Sequence, residues 1–508
     1  MSKLNRLAAA LLVALLALVP SAAAQTASLT ILHTNDTHGH LFPFSYPDAA
    51  ASGRELQGMR VYRDIGGIAR RATLVKQIRQ ELGSRGTPVW LVDVGDYSDG
   101  TPFSTEYRGE ADVAAMNAVG YDLGTLGNHE FNYAAAQVRK LIGLTKYELV
   151  SANITDRATG KPLLKPYVIR KVGPVRVAVL GLITKEAATY PAGKEAFDVA
   201  DEIATARQTV TALRGQADII VALSHAGEVV DRRLAEQVPD IDVIVGGHSH
   251  TRLPSGDMVW HSQDLKVSSV NGTVIVQAHQ WGGELGRVDL LFVKDEAGTW
   301  QVDRYRARLI PVTPEFPEDP GVAAVVNEFW KPIASQYGEV VGQAGGEFAS
   351  RGDDQAEYNL VADAVRESFS AEFGMENMGG VRAPLIRGAI TKADLVTLDP
   401  FNNTVVTFTA TGKQIRDILQ RYSPAVSGIR YRLENKELVE VTIAGQPLDD
   451  ARVYRGVTNS YFAGVALKGL TTLQDTGKAR LDVLIGYIRQ KGTVRPAYDG
   501  RRIVSNNR

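Results

Sequence analysis

From Leu29 to about Leu309, short apolar runs alternate with amphipathic stretches. Leu29–Leu32, Val89–Val92, Ile219–Leu223 and Val243–Val245 are near-continuous apolar blocks, the pattern of strands buried on both faces. Between them, Ile68–Glu81, Ala111–Ala118 and Asp201–Leu213 space their apolar side chains as helices do. Val274–Val276 and Val288–Val293 read as a closing β pair. The alternation predicts a layered α/β domain with its function on the loops beyond the strand ends. Pro311, Pro314, Pro317 and Pro320 then punctuate a stretch that also holds Glu315, Glu318 and Asp319, a proline-stiffened linker. One helical pattern follows from Val322 to Tyr337. Beyond it Leu360–Phe369 and Gly412–Tyr422 read as helices, and Leu438–Ile443 as part of a hairpin, giving a smaller α+β domain. The expected division is 1–24, 25–310, 311–337 as linker and bridging helix, and 338–508.

Length and charge narrow the classes. The 508 residues leave room for two domains, and a net charge of -1 gives no reason to expect polymeric nucleic acid or an anionic membrane as partner. The chain has no cysteine, which excludes disulfides, thiolate metal ligands, a thiol nucleophile and a lipobox anchor. Residues 1–24 read as a cleaved export signal: Lys3 and Arg6 precede an apolar core from Leu7 to Val19, and Ala22, Ala23 and Ala24 supply small residues for cleavage. That core falls short of the ~20 residues a bilayer span needs. The expectation is therefore a periplasmic or secreted protein without a membrane anchor, starting near Gln25.

The chemistry lies in short polar motifs, each following an apolar run: Asp36-x-His38, Gly95-Asp96, Gly127-Asn128-His129-Glu130, Ser224-His225 and Gly247-His248-Ser249-His250. Singly, most are more simply read as a cap or as structural or solvated residues; Gly127-Asn128-His129-Glu130 is more specific, with an amide oxygen and an imidazole placed consecutively at a strand-to-helix turn. Together they hold five of the nine histidines, in the strand context that a two-metal centre needs. Without thiolates such a centre uses imidazole, carboxylate and amide oxygen, a donor set suited to divalent manganese, zinc, cobalt or magnesium. His33, inside a strand, reads as structural.

The segments His33–Gly39, Val94–Asp96, Gly127–Phe131, Ser224–Gly227 and Gly246–His250 resemble the calcineurin-like metallophosphoesterase domain, and more narrowly the secreted 5′-nucleotidase family. The resemblance implies a four-layer αββα domain followed by a nucleotide-binding domain. It implies one ion on Asp36, His38, Asp96 and His250, and a second on Asp96, Asn128, His225 and His248, with Asp96 bridging. It also implies attack by a metal-held hydroxide, with His129 assisting, to release phosphate from nucleoside 5′-monophosphates or related nucleotides. Alternatives within the same chemistry are a 2′,3′-cyclic phosphodiesterase and a nucleotide-sugar hydrolase; a non-catalytic nucleotide-binding protein is the alternative outside it.

Asn377-Met378-Gly379-Gly380-Val381-Arg382 resembles the family's substrate loop, Arg351 its second substrate-side arginine, and Phe401 with Tyr461 its base clamp. The resemblance further implies that the second domain rotates to carry substrate to the metals. Three departures stand out. Asn132 replaces an aspartate that orients the catalytic histidine, which leads one to expect weaker acid assistance and a gain in turnover from Asn132→Asp. Phe462–Gly469 replaces a Gly-Gly-Asp-Gly loop, and Tyr358 stands where a small residue is usual. Both of these bear on substrate specificity, not on the hydrolytic centre.

Overall fold

Strands that are apolar on both faces must be sandwiched between other layers, and the first half of the chain does this twice. The computed structural model describes residues 25–48, 60–261, 272–470 and 472–505, so the proposed signal lies outside the described residues. One six-stranded sheet runs in the order Trp300–Pro311, Glu284–Lys294, Thr26–Thr34, Val89–Asp93, Leu123–Gly124, Glu148–Leu149. The other runs Asp257–Trp260, Gly272–Val276, Val243–Gly246, Ile219–His225, Val175–Ile183, Tyr167–Val172. Their inner faces meet through Ile31, Val92, Leu123, Val177, Val221 and Val243. Helices Ile68–Gly83, Glu110–Val119 and Ala135–Leu144 cover the outside of the first sheet. Glu202–Leu213 and Glu228–Gln237 cover the second, which completes the expected αββα order. The central strands pair in parallel, so their C-terminal ends open on common edges. Loops at such edges are where an α/β sheet places a site.

Two sequence expectations are corrected. Val274–Val276 and Val288–Val293 do not pair with each other. The first lies beside Val243–Gly246 in one sheet, and the second lies beside Thr26–Thr34 in the other. Between them the chain crosses the sandwich instead of turning back. Asn35 holds the crossing by accepting from the Ala278 N–H and donating to the His279 carbonyl. The expected helix from Val322 to Tyr337 is also two pieces, Pro320–Trp330 and Ala334–Tyr337. Pro332 lies at the break; it has no N–H to continue the ladder, and its ring obstructs the preceding turn. The first piece buries Val322 and Val326 in the first domain's core, whereas Ile333 and Tyr337 pack with Val396 of the second domain.

The second domain is α+β. A five-stranded sheet (Ala425–Ser427, Phe373–Glu376, Val453–Asn459, Thr404–Thr411, Gln474–Ala479) and a four-stranded one enclose a core with helix Gly412–Tyr422. Helices Ala356–Ser368 and Arg480–Lys491 share a separate core.

One buried acid of the first domain gives stability a pH dependence. Asp112 is 1% exposed, and among the described residues its carboxylate finds no hydrogen-bond partner in another residue. Burial first, then the nearby Glu130 and Asp93 carboxylates, push its pKa up to about 8 against the pull of Arg71. The folded protein thus keeps a proton that the unfolded chain releases near pH 4, so stability falls as pH rises from about 4 to about 8. Urea unfolding of Asp112→Asn should show a shallower loss of midpoint between pH 6 and pH 9 than the native chain, with a higher midpoint at pH 9. Parallel curves for the two proteins would contradict this.

Candidate metal centre and substrate loops

The ligand motifs sit on turns that most side chains avoid. Asp36, His38, Asp96, His248 and His250 adopt positive φ, at 50°, 47°, 52°, 71° and 54°. Aspartate and histidine tolerate this region better than most residues. Backbone hydrogen bonds hold the turns: Asp36 N–H to Gly95 O (3.0 Å), His38 N–H to Asp96 O (3.0 Å) and Gly39 N–H to Tyr97 O (2.8 Å). The loops also touch so closely that glycine is required. A Cβ on Gly95 would lie 2.2 Å from Gly127 N, and one on Gly127 would lie 2.1 Å from Asp96 Oδ1.

These turns bring all seven expected ligands together. Asp36, His38 and His250 form one group of close ligand atoms; Asp96, His225 and His248 form another. Asp96 Oδ2 lies 3.1 Å from His225 Nε2 and 3.9 Å from His38 Nε2, so one carboxylate faces both groups. Asn128 Oδ1 completes the second group, 3.2 Å from His225 Nε2 and 2.8 Å from His248 Nδ1.

The surroundings fit metal binding. His225 Nδ1 donates to Val94 O (2.6 Å) and His38 Nδ1 to Asp99 O (2.8 Å), which turns each Nε2 towards the cluster. Asn128 Nδ2 donates to Tyr190 Oη (3.0 Å), turning the amide oxygen inward. Asp36 accepts from Asn35 Nδ2 and from the His248 N–H. Burial alone would lower the His225 pKa, yet Asp96 and then Asp36 push it up to about 10. That marks a buried anionic pocket suited to cations.

Glu130, part of a motif but given no role by sequence, joins the loops. Its Oε1 accepts from Ser98 N–H and Oγ, both at 3.1 Å, and its Oε2 from Asp96 N–H (3.0 Å) and Gly127 N–H (2.7 Å). His129 is buried beside the cluster, and its N–H donates to Asp96 Oδ1 at 2.7 Å. Burial would lower its pKa, but the Asp96 carboxylate and the hydrogen-bonded Asp99 carboxylate outweigh that and raise it. His33 is buried in its strand, and His40 stacks on Trp281 at 4.8 Å.

The second domain reaches the centre through Arg382, whose Nη2 lies 3.3 Å from His38 Nε2. Its loop is anchored from below. Arg480, which sequence did not single out, is fully buried and donates to Asp399, Glu376 and the Gly380 carbonyl. Asn459 Nδ2 donates to Glu376 and, at 2.9 Å, to Asn377 Oδ1. Tyr358 is buried, and its hydroxyl accepts from the Gly379 N–H at 2.8 Å, so the unexpectedly large residue supports the loop. Phe401 and Tyr461 lie on adjacent turns tied by Asn403: its N–H donates to Phe401 O (2.8 Å), and its Oδ1 accepts from Tyr461 N–H (3.2 Å). Tyr461 is 60% exposed. Arg351 stacks over the Tyr498 ring at 3.8 Å, among contacts of the second domain's own hairpin.

Two family models match consecutive parts of the chain: calcineurin-like phosphoesterase over residues 29–252, and the 5′-nucleotidase C-terminal domain over residues 340–472. The Trifunctional nucleotide phosphoesterase protein YfkN of Bacillus subtilis is 28% identical over 550 residues, covering 93% of this chain but only 34% of that protein. Protein UshA of Escherichia coli is 28% identical over 518 residues, covering 91% of this chain and 88% of UshA. Among solved structures, a 5′-nucleotidase precursor from Thermus thermophilus superposes with a TM-score of 0.82 at 28% identity, covering 95% of this chain and all of that one.

Proposed function

Because this chain belongs to the calcineurin-like phosphoesterases that carry a 5′-nucleotidase C-terminal domain, a family of metal-dependent hydrolases, we propose that it releases phosphate from nucleoside 5′-monophosphates or related nucleotides at a two-metal centre. The observation that carries the reading is Arg382. A guanidinium of the nucleotide-binding domain lies against a metal-ligand histidine of the hydrolytic domain, where a phosphoryl group would bridge the two.

Asp36, His38, Asp96 and His250 would hold one divalent ion, and Asp96, Asn128, His225 and His248 the other. When bound, the ions supply Lewis acidity and a water acidic enough to attack at neutral pH. This chain's residues do the rest. Arg382 clamps phosphoryl oxygens with paired N–H donors. His129 gives a proton to the departing ribose oxygen. Phe401 and Tyr461 offer flat faces to the base, and Asn377 offers its amide to the sugar. Arg351 would reach the substrate only by leaving Tyr498. The basic and apolar N-terminal segment supports export to the periplasm or beyond. Among the described residues no helix is long and apolar enough to cross a membrane.

The test is phosphate release from AMP, UDP-glucose, 2′,3′-cyclic AMP and bis-p-nitrophenyl phosphate, with manganese and with a chelator. Manganese-dependent cleavage of AMP, lost on chelation, is expected. Activity confined to diesters or to the nucleotide-sugar would reassign the substrate. Silence on all of them, with metal bound, would favour a binding protein.

A further inference from the structure

The carboxylate that holds His129 does not come from its own turn. His129 Nδ1 lies 2.7 Å from Asp99 Oδ2, with the two side chains only 10% and 9% exposed. Asn132 directs its Nδ2 at the same oxygen, and that Nδ2 lies 2.9 Å from His129 Nδ1. The opposite amide orientation would set the Asn132 carbonyl against the Asp99 carboxylate, two acceptors with no proton between them. The amide therefore donates to Asp99, as does the imidazole Nδ1–H. The close approach of the two nitrogens follows from their sharing one acceptor. Asn132 steadies Asp99, and Asp99 steadies the ring.

We propose that Asp99 is the positioning carboxylate of His129, fixing its tautomer so that Nε2 serves the leaving oxygen; this rests on the hydrolytic function proposed above. Asp99 is well placed for the task. It takes a left-handed conformation (φ 72°), and its N–H donates to Ser104 Oγ at 2.8 Å. Its carbonyl accepts from His38 Nδ1 at 2.8 Å, so one residue orients two rings, His38 by backbone and His129 by side chain. As the bond from phosphorus to the ribose oxygen breaks, that oxygen keeps the electron pair and takes the proton from His129 Nε2. The imidazole is left neutral, its Nδ1–H still on Asp99. A fixed carboxylate partner stabilises the imidazolium before this transfer and holds the ring in line. The charge lacking at position 132 is thus supplied from the loop after Asp96. Asn132→Asp alone would crowd a second carboxylate against the first, so no gain in turnover is expected from it.

The test uses Asp99→Asn, Asn132→Asp and the double exchange, measured on AMP and on p-nitrophenyl phosphate, with metal content checked for each. Asp99→Asn should lower kcat on AMP at least ~100-fold with KM and bound metal unchanged, and lower it much less on p-nitrophenyl phosphate, whose leaving group needs no proton. The double exchange should restore most of the loss on AMP. Equal losses on both substrates, an unchanged kcat, a loss cured by added metal, or a double exchange no better than Asp99→Asn would each overturn the proposal. A second readout is independent of turnover. In protein with isotope-labelled histidine, the His129 Nδ1–H signal, identified by its loss in His129→Gln, should be protected from exchange in the native chain and lost in Asp99→Asn. If the native protein cleaved no nucleotide yet kept that signal, the functional reading would fail while the bond stood.

Discussion

Arg480→Met should destabilise the second domain by about 3–5 kcal/mol, the usual consequence of breaking a buried ion pair from one side. Arg480 is 0% exposed, and its donors are divided between Asp399, Glu376 and the Gly380 carbonyl. Without it, two carboxylates that are 1% exposed would be left without their cation. Glu376 already has a raised pKa, through burial first, with Arg480 opposing the rise. Removing the arginine raises it further, so the folded variant would retain protons that its unfolded chain has lost. The destabilisation should therefore grow as pH rises through and above the carboxylate range, and urea unfolding at pH 5 and pH 8 would show it. Arg480→Lys should rescue little, because an ammonium cannot span both carboxylates and a carbonyl. A loss below about 1 kcal/mol at pH 8 would mean that the network adds no net stability. Because Gly380 precedes Arg382 by two positions, a weakened anchor should also raise KM before it lowers kcat.

Asp96→Asn should have the largest effect on activity. The substitution keeps the size of the side chain and one oxygen but removes the charge that faces both ligand groups. Metal analysis should find no more than one tightly held ion per chain. The kcat on AMP should fall by at least ~10³-fold, the upper end for losing one electrostatic group from a preorganised site. Circular dichroism should be unchanged, since the His129 N–H can still donate to an amide oxygen at that position. Two bound ions with kcat within tenfold of native would remove Asp96 from the bridging role.

What could be read in the sequence follows how locally each feature is encoded. Asp36, His38, Asp96, Asn128, His225, His248 and His250 each end or follow an apolar run, so the strands alone carry these candidate ligands to one place. The helices Ile68–Gly83 and Glu110–Val119 were equally legible, because apolar spacing alone specifies them. Features made by approach of distant segments were not. Asp99 lies in a Ser-Asp-Gly stretch that reads as an ordinary turn, and only the folded loops show its carboxylate meeting His129 from the loop that follows the neighbouring strand. Arg480 opens a helix and meets Glu376 across 104 residues and Asp399 across 81, though no local pattern marks it. Apolar runs do not say which sheet they join, so Val274–Val276 and Val288–Val293 read as partners in sequence although they lie in different sheets. The break at Pro332 was visible in the sequence, in a residue that cannot continue a helix.

The left-handed turns at Asp36, His38, Asp96, His248 and His250 also limit how such a centre can change over time. Aspartate, asparagine and histidine are both good oxygen or nitrogen donors and the side chains that best endure that backbone. Donor chemistry and chain geometry therefore select the same small alphabet. A glutamate at these five positions could offer an equivalent carboxylate, yet it would strain the turn. Exchange among aspartate, asparagine and histidine is open to drift, and the affinity of the pocket for one metal over another can be retuned only within those three letters.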